Sequence, residues 1–334
     1  MIPERYNKEN LVRAIKSPSL AVHEVQNQAN SLWHVPRKIR FKQKYGSGIN
    51  VMNEDWDFLI ILDACRYDAF EQIVDIEGEL QSVISRGSHS IEFCEENFKN
   101  EQYHDTVYVT ANGYGAQIAE GVFHDLIFTD ESDALPEVDV LHSSHGGMAP
   151  STVYNAALDA ADEYPSKRMI IHFMQPHDPY LGQTAEDLRS RVEANGLTVI
   201  SRDPEKLKKY DTSDENVVST LAGAAKEGYI TETDLQTIYH ENLEVVSEYV
   251  NDLVERLTGE IVVTADHGEM LGERGMIGHP KYKYFIELRK VPWLRISSSA
   301  RRDIRKEEPV DSVTADDNIV EKRLKALGYK DGTS

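Results

Sequence analysis

Cysteine is almost missing from this chain of 334 residues: Cys65 and Cys94 are the only two. That excludes a disulfide-stapled scaffold and fits a reducing compartment. No stretch reaches the roughly 20 uncharged apolar residues of a membrane helix. The opening Met-Ile-Pro-Glu-Arg-Tyr-Asn-Lys-Glu-Asn lacks the apolar run of a signal peptide. These absences set the expectation of a soluble, cytoplasmic protein. Positive charge is scarce too, 36 Lys and Arg against 57 Asp and Glu, for a net charge of −21. Such a chain repels phosphates, so nucleic acid is not expected as a partner. The acids are spread along most of the sequence and read as a solvated acidic surface. Internal repeats and low-complexity tracts are absent as well.

What remains is ample for folding. Hydrophobic residues make up 40% of the chain, enough for one large α/β domain or two small ones. The charge is uneven: residues 1–50 hold nine basic and three acidic residues, a net +6, which leaves −27 for the rest. This basic leader is expected to pack on the acidic body of residues 51–334, with peripheral contact to an anionic membrane surface as the alternative.

Short apolar runs rich in β-branched residues recur at Phe58–Leu62, Val107–Thr110, Val138–Leu141, Met169–Phe173, Ile261–Thr264 and Val291–Ile296. Runs of this length suit strands buried on both faces, as in a parallel sheet. Between them lie helical patterns. Ser151 or Thr152 can cap a helix to about Glu163, ended by Pro165. A longer helix is expected from about Glu232 to Leu257, with Thr231 and Asp234 as a capping pair and Gly259 at its stop. Alternating strands and helices predict an α/β fold, a doubly wound, mostly parallel sheet sandwiched by helices. Residues 183–230 are polar and break the pattern; they read as an inserted helical cap over the active-site edge, with a plain surface excursion as the alternative.

In open α/β sheets, ligands sit beyond the carboxyl ends of the strands. Three predicted strand ends carry chemistry there. Asp63 ends the run Phe-Leu-Ile-Ile-Leu, where an unpaired carboxylate is costly unless it meets a metal or caps a helix. Asp266 and His267 follow Ile-Val-Val-Thr-Ala and offer a hard oxygen and a borderline nitrogen to one divalent ion, with a flexible glycine after them. His279, in Gly-His-Pro, is near enough in sequence to return to the same mouth. In Met-Ile-Ile-His-Phe-Met-Gln-Pro-His-Asp-Pro-Tyr, His172 lies within the strand and reads as a hydrogen-bonded core residue. His177 lies beyond it, between two prolines, placed to bind a substrate oxygen, protonate a leaving group or ligate a second metal.

Together these segments, from about Asp57 to Ile296, resemble the alkaline phosphatase superfamily, particularly its sulfatase-like and phosphotransferase members. Thr-Ala-Asp-His-Gly-Glu-Met-Leu-Gly-Glu followed by Gly-His-Pro carries most of the resemblance, and Gln-Pro-His-Asp-Pro-Tyr carries the next part. Leu-Asp-Ala-Cys-Arg-Tyr-Asp looks like a little-characterised sulfatase-like branch common in archaea.

The resemblance implies that Asp63, Asp266 and His267 bind a catalytic divalent metal, whether Mn, Zn, Mg or Ca. It implies a nucleophile at a helix start some tens of residues after the first Asp, which here is Ser90, with Ser88 in reserve; Ser90 would also ligate the metal. It further implies that His177 and His279 contact the transferred group. His177, Asp178 and His279 are the set available for a second ion, while one essential ion is the preferred expectation. Arg66 either meets an oxyanion of the substrate or forms a salt bridge with Asp68. The sulfatase signature Cys-x-Pro-Ser-Arg is missing, so neither cysteine is expected to become formylglycine, and Cys65 reads as a small buried residue. The implied activity is hydrolysis or transfer of a phosphate ester, less readily a sulfate ester, through a seryl intermediate. The implied substrate is a small molecule or a surface glycan or glycolipid. A cofactor-independent phosphomutase and a metal-binding scaffold in glycan assembly are the alternatives.

Overall fold

The computed structural model describes residues 36–310 apart from 120, 130–148, 179, 201–205, 207–208 and 211–213. In chain order its strands are β1 Phe58–Leu62, β2 Glu79–Ile84, β3 Tyr103–Thr110, β4 Phe123–Phe128, β5 Arg168–Phe173, β6 Thr198–Val199, β7 Val217–Val218, β8 Ile261–Thr264, β9 Met270–Leu271, β10 Ile277–Gly278 and β11 Lys290–Ile296. Its principal helices are α1 Tyr67–Ile73, α2 Ser90–Asn97, α3 Gly113–Ala119, α4 Pro150–Glu163, α5 Gln183–Ala194, α6 Leu221–Lys226, α7 Glu232–Arg256 and α8 Ile286–Arg289.

Seven strands form one sheet in the order β2-β11-β8-β1-β5-β3-β4. From β8 to β4 every pairing is parallel, with Phe58 of β1 opposite both Met169 and Ile261. The period of two along each strand divides the apolar residues between two cores. Phe58, Ile60, Leu62, Val107, Val109, Ile171 and Val263 join the core that includes α4 and α7. Leu59, Ile61, Tyr108, Ile170 and Val262 join the one that includes α2. All five residues of β1 are therefore buried, which explains its unbroken apolar run. The result is the expected α/β sandwich with a mostly parallel sheet.

Several details differ from the sequence expectation, and β4, paired parallel to β3, was not among the expected strands. Val291–Ile296 forms a strand, but β11 runs antiparallel to both β8 and β2, because an apolar run encodes burial and not direction. β2 carries no apolar run; its residues are mostly exposed at the sheet edge, so nothing in its composition announced it. The helix expected from Ser151 or Thr152 begins earlier, at Pro150, with Ala149 as N-cap and no side-chain cap. Proline fits that first position because its missing N–H would lack a helical partner there. The expected strand Val138–Leu141 lies outside the described residues.

α7 follows its signals closely. Thr231 and Asp234 form a full capping box, and Leu257 is the C-cap. Leu235, Ile238, Tyr239, Leu243, Val246, Val250 and Leu253 are buried along one face. The described parts of 183–230 form α5, the two-residue parallel pair β6–β7, and α6. Of the basic leader, residues 36–45 form a helix with Arg37, Lys38, Arg40, Lys42 and Lys44 exposed. Its buried Phe41 meets the Tyr284 ring edge-on at 5.6 Å. Residues 1–35 lie outside the described part. Among the described residues no helix is long and apolar enough to cross a membrane.

Candidate metal centre

The parallel strands end on one side, and the polar residues that follow them meet there. Asp63 directly follows β1, Asp266 and His267 follow β8, Asn112 follows β3, and His177 follows β5. A network of main-chain contacts holds these ends. Ala64 takes the left-handed backbone conformation, φ 61°, which is unfavourable for a residue with a Cβ. Its N–H donates to Asp266 Oδ1 at 3.0 Å and its carbonyl accepts from the Tyr239 hydroxyl at 2.8 Å. The Ser85 hydroxyl donates to the carbonyl of Asp266. Gly268, expected to supply flexibility, instead permits close packing: a Cβ there would collide with the Glu287 carbonyl.

Asp63, Asp266 and His267 are buried, and their ligating atoms lie within 4.8 Å of one another. His267 Nε2 is 3.4 Å from both Asp63 Oδ1 and Asp266 Oδ2. Its Nδ1 lies 2.8 Å from the Gly268 carbonyl, an acceptor only, so Nδ1 carries the proton and Nε2 a lone pair. Asp63 Oδ2 accepts from Asn112 Nδ2 at 2.8 Å, and Asp266 Oδ1 accepts two backbone N–H groups. The other oxygen of each carboxylate, Asp63 Oδ1 and Asp266 Oδ2, is buried with no hydrogen-bond partner among the described residues. Buried acceptors without donors are costly. Two of them converging with an imidazole lone pair fit a divalent cation, and the mixed O and N donor set suits zinc or manganese.

Electrostatics point the same way. Burial, and then the negative charge of Asp266, push the Asp63 carboxyl well above the usual range. Burial also raises Asp266, but the imidazoles of His267 and His172 outweigh it and hold the group low. Burial lowers the His267 imidazole.

Ser90 is the first residue of α2, after the N-cap His89. Its Oγ lies 3.3 Å from Asp63 Oδ2 and 3.4 Å from His267 Nε2, at the edge of the cluster. Ser88 is engaged elsewhere. Its hydroxyl donates to Glu92 Oε2 at 2.9 Å and accepts from the Lys283 N–H at 3.1 Å.

A second donor group adjoins the first. His177, Glu269 and His279 also bring ligating atoms within 4.8 Å of one another. The His279 ring stands 4.7 Å from that of His267 and 5.0 Å from that of His177. Glu269 takes the place in this cluster that the sequence reading assigned to Asp178. Burial raises the Glu269 carboxyl and lowers His279 to about 4. The cluster lines a cavity of about 600 Å³, to which residues 183–230 contribute Thr220 and Lys226.

Arg66 is accounted for by its salt bridges. Its guanidinium binds Asp68 at 2.6 Å and Glu273 at 2.5 Å. Cys65 is buried and free, as expected of a small core residue. Two residues of the site were not anticipated. Glu269 belongs to the Asp-His-Gly-Glu motif and could have been taken from it. Asn112 follows an ordinary strand and gave no signal.

No protein-family model matches this sequence, and no curated protein matches it. Among solved structures, the chain is similar to the soluble domain of lipooligosaccharide phosphoethanolamine transferase A from Neisseria meningitidis, at 17% identity over 73% of this chain and 76% of that one, TM-score 0.45. It is similar to a 2-O GAG sulfatase at 13% identity over 83% of this chain and 71% of that one, TM-score 0.43. It is also similar to the C-terminal periplasmic domain of EcEptC from Escherichia coli in complex with Zn, at 14% identity over 75% of this chain and 76% of that one, TM-score 0.41.

Proposed function

We propose that this chain is a divalent-metal-dependent hydrolase or transferase of phosphate esters that works through a covalent intermediate on Ser90. One observation carries the reading: a serine hydroxyl at a helix start faces a buried Asp63–Asp266–His267 cluster whose outward lone pairs have no donor. Phosphate is favoured over sulfate because serine stands at the nucleophile position and neither cysteine lies in a sulfatase signature.

A divalent ion held by Asp63, Asp266 and His267 would supply Lewis-acid charge to the transferred group and lower the pKa of the serine hydroxyl. The protein's own groups do the rest. Asp63 Oδ2 accepts from the Ser90 hydroxyl and orients it. The free backbone N–H groups at the start of α2 favour the anionic group being attacked. The Ser90 Oγ–P bond forms as the ester O–P bond breaks; the hydroxyl proton passes to Asp63 Oδ2, and the leaving oxygen takes its proton from solvent in the cavity lined by His177 and His279. Water, or a hydroxyl of a second substrate, then attacks the seryl ester and restores Ser90. Low-dielectric burial strengthens each of these contacts.

The His177–Glu269–His279 cluster favours a second reading, a two-metal enzyme of phosphomutase type. Metal stoichiometry separates the two.

The deciding experiment is turnover of p-nitrophenyl phosphate, bis-p-nitrophenyl phosphate and p-nitrophenyl sulfate by chelator-stripped protein, with Mn²⁺, Zn²⁺, Mg²⁺ or Ca²⁺ restored singly. Metal-dependent turnover lost in Asp266→Ala and Ser90→Ala is the expected result. Turnover that persists in the absence of metal would overturn the reading.

A further inference from the structure

Asp63 and Asp266 are the two carboxylates of the cluster, and the structure holds them differently. Asp63 has a direct partner in Asn112. Asp266 is held through Oδ1 by two backbone N–H groups, and its outward Oδ2 faces a buried imidazole that the mechanism does not use. His172 sits inside β5, paired in register with Thr110 of β3, and is fully buried. Its Nε2 lies 4.0 Å from Asp266 Oδ2 and has no hydrogen-bond partner among the described residues. Its Nδ1 lies 2.7 Å from the hydroxyl of Tyr108, also fully buried, on β3.

The hydroxyl of Tyr108 determines which nitrogen of His172 carries the proton. A phenol in an apolar interior donates to the imidazole nitrogen beside it, so Nδ1 accepts and the single proton of the neutral ring sits on Nε2. The nitrogen that carries it is the one 4.0 Å from Asp266 Oδ2. The hydroxyl is itself confined: a Cβ on Gly115 would collide with it, so a glycine is required where α3 passes the ring. A stretched contact of 4.0 Å is too long for a hydrogen bond, yet an N–H dipole in a dry interior still steadies the ionised carboxylate and its rotamer.

We propose that Tyr108 and His172 are positioning residues of the metal centre: the Tyr108 hydroxyl fixes the His172 tautomer, and the Nε2–H of His172 holds Asp266 in its ligating orientation. Strand β3, which supplies none of the three ligands, thereby acts on the centre through its neighbour β5. The inference rests on the metal-centre reading above. Groups placed behind metal ligands in this way are typically worth roughly 10–100-fold in metal affinity.

The test is equilibrium competition for Zn²⁺ or Mn²⁺ between a fluorescent chelator and the full chain, in wild type and in His172→Phe, His172→Gln and Tyr108→Phe. Each metal-free protein is also melted. His172→Phe is expected to bind metal roughly 10–100-fold more weakly, and Tyr108→Phe to weaken it less. His172→Gln, whose amide can present an N–H near the Nε2 position, is expected to recover most of the loss. A merely structural role would lower the melting temperature of the metal-free variants and leave their affinity unchanged, and that result overturns the inference. So does a His172→Gln protein as weak as His172→Phe. If His172→Phe fails to fold, Tyr108→Phe decides, since it removes one oxygen and keeps the ring; wild-type affinity there counts against the proposal. Wild-type protein that binds no divalent ion sinks the metal-centre reading itself, whereas wild-type binding with unperturbed variants sinks only this inference.

Discussion

His267 Nε2 and Asp63 Oδ1 face each other at 3.4 Å with a lone pair on each, because the only imidazole proton is given to the Gly268 carbonyl. Two acceptors held at that distance in a dry interior repel unless a cation or a proton lies between them. The fold maintains this arrangement, down to the left-handed backbone of Ala64 beside it. On the proposed metal-centre reading an ion relieves this repulsion, and metal-free protein should be measurably less stable.

Chelation is therefore expected to lower the melting temperature, and restored metal to raise stability by roughly 2.7 kcal/mol at a hundredfold excess over its Kd. Asp266→Asn should lose more affinity than the roughly 10–100-fold typical of groups behind the ligands. Calorimetric titration of stripped wild type and variant checks both. A stoichiometry of two in wild type would favour the two-metal alternative.

Ser90→Ala should abolish turnover while leaving metal affinity within a few-fold of wild type, since two carboxylates and an imidazole remain. Ser88→Ala should keep turnover, because that hydroxyl serves Glu92 and Lys283. Steady-state rates beside metal titrations distinguish the two serines, and mass spectrometry of acid-quenched protein tests for a phosphoryl group on Ser90.

Glu92 and Arg289 form a buried ion pair at 2.7 Å behind the start of α2. Glu92→Ala strands the guanidinium, and the expected loss is about 3–5 kcal/mol in denaturant melts. Replacing both with apolar residues of similar volume should recover most of that loss, because no unpaired charge is left.

His172 carries a pH signature. Burial lowers its imidazole to about 4, against about 6.5 in an unfolded chain. Between those values the unfolded state binds the proton and the folded state does not, so this group's contribution to stability is lost as pH falls from about 6.5 toward about 4. At pH 5 the loss is about 2 kcal/mol. Chelated His172→Gln should lose less stability than chelated wild type by that amount between pH 7 and 5, as read from urea melts. Equal losses would mean His172 is protonated in the folded protein.

Thr231→Ala provides a control far from the chemistry. It removes the exposed capping box of α7 and should cost about 1 kcal/mol without changing turnover.

By itself the sequence determined the features that depend on local chemistry. Apolar runs marked β1, β3, β5 and β8, since a strand buried on both faces must be apolar throughout. Thr231 and Asp234 marked the start of α7, since capping is settled within one helical turn. Asp63, Asp266, His267 and His177 stood out because polar groups at the ends of such strands are costly without a purpose, His279 because it follows them closely in sequence, and Ser90 only through the family resemblance. Tertiary structure decided the features that depend on neighbours distant in the chain. β11 takes its direction from β8 and β2, and exposed β2 exists because an edge is available to pair with. Asn112 gained its role only when β3 was set near Asp63. Glu269 joined His177 and His279 because loops from different strands close on one cavity. His172 was legible as buried and hydrogen-bonded, but not as facing Asp266. That relation is created by sheet order, which places β5 between β1 and β3, and sheet order depends on long-range packing that no local pattern encodes.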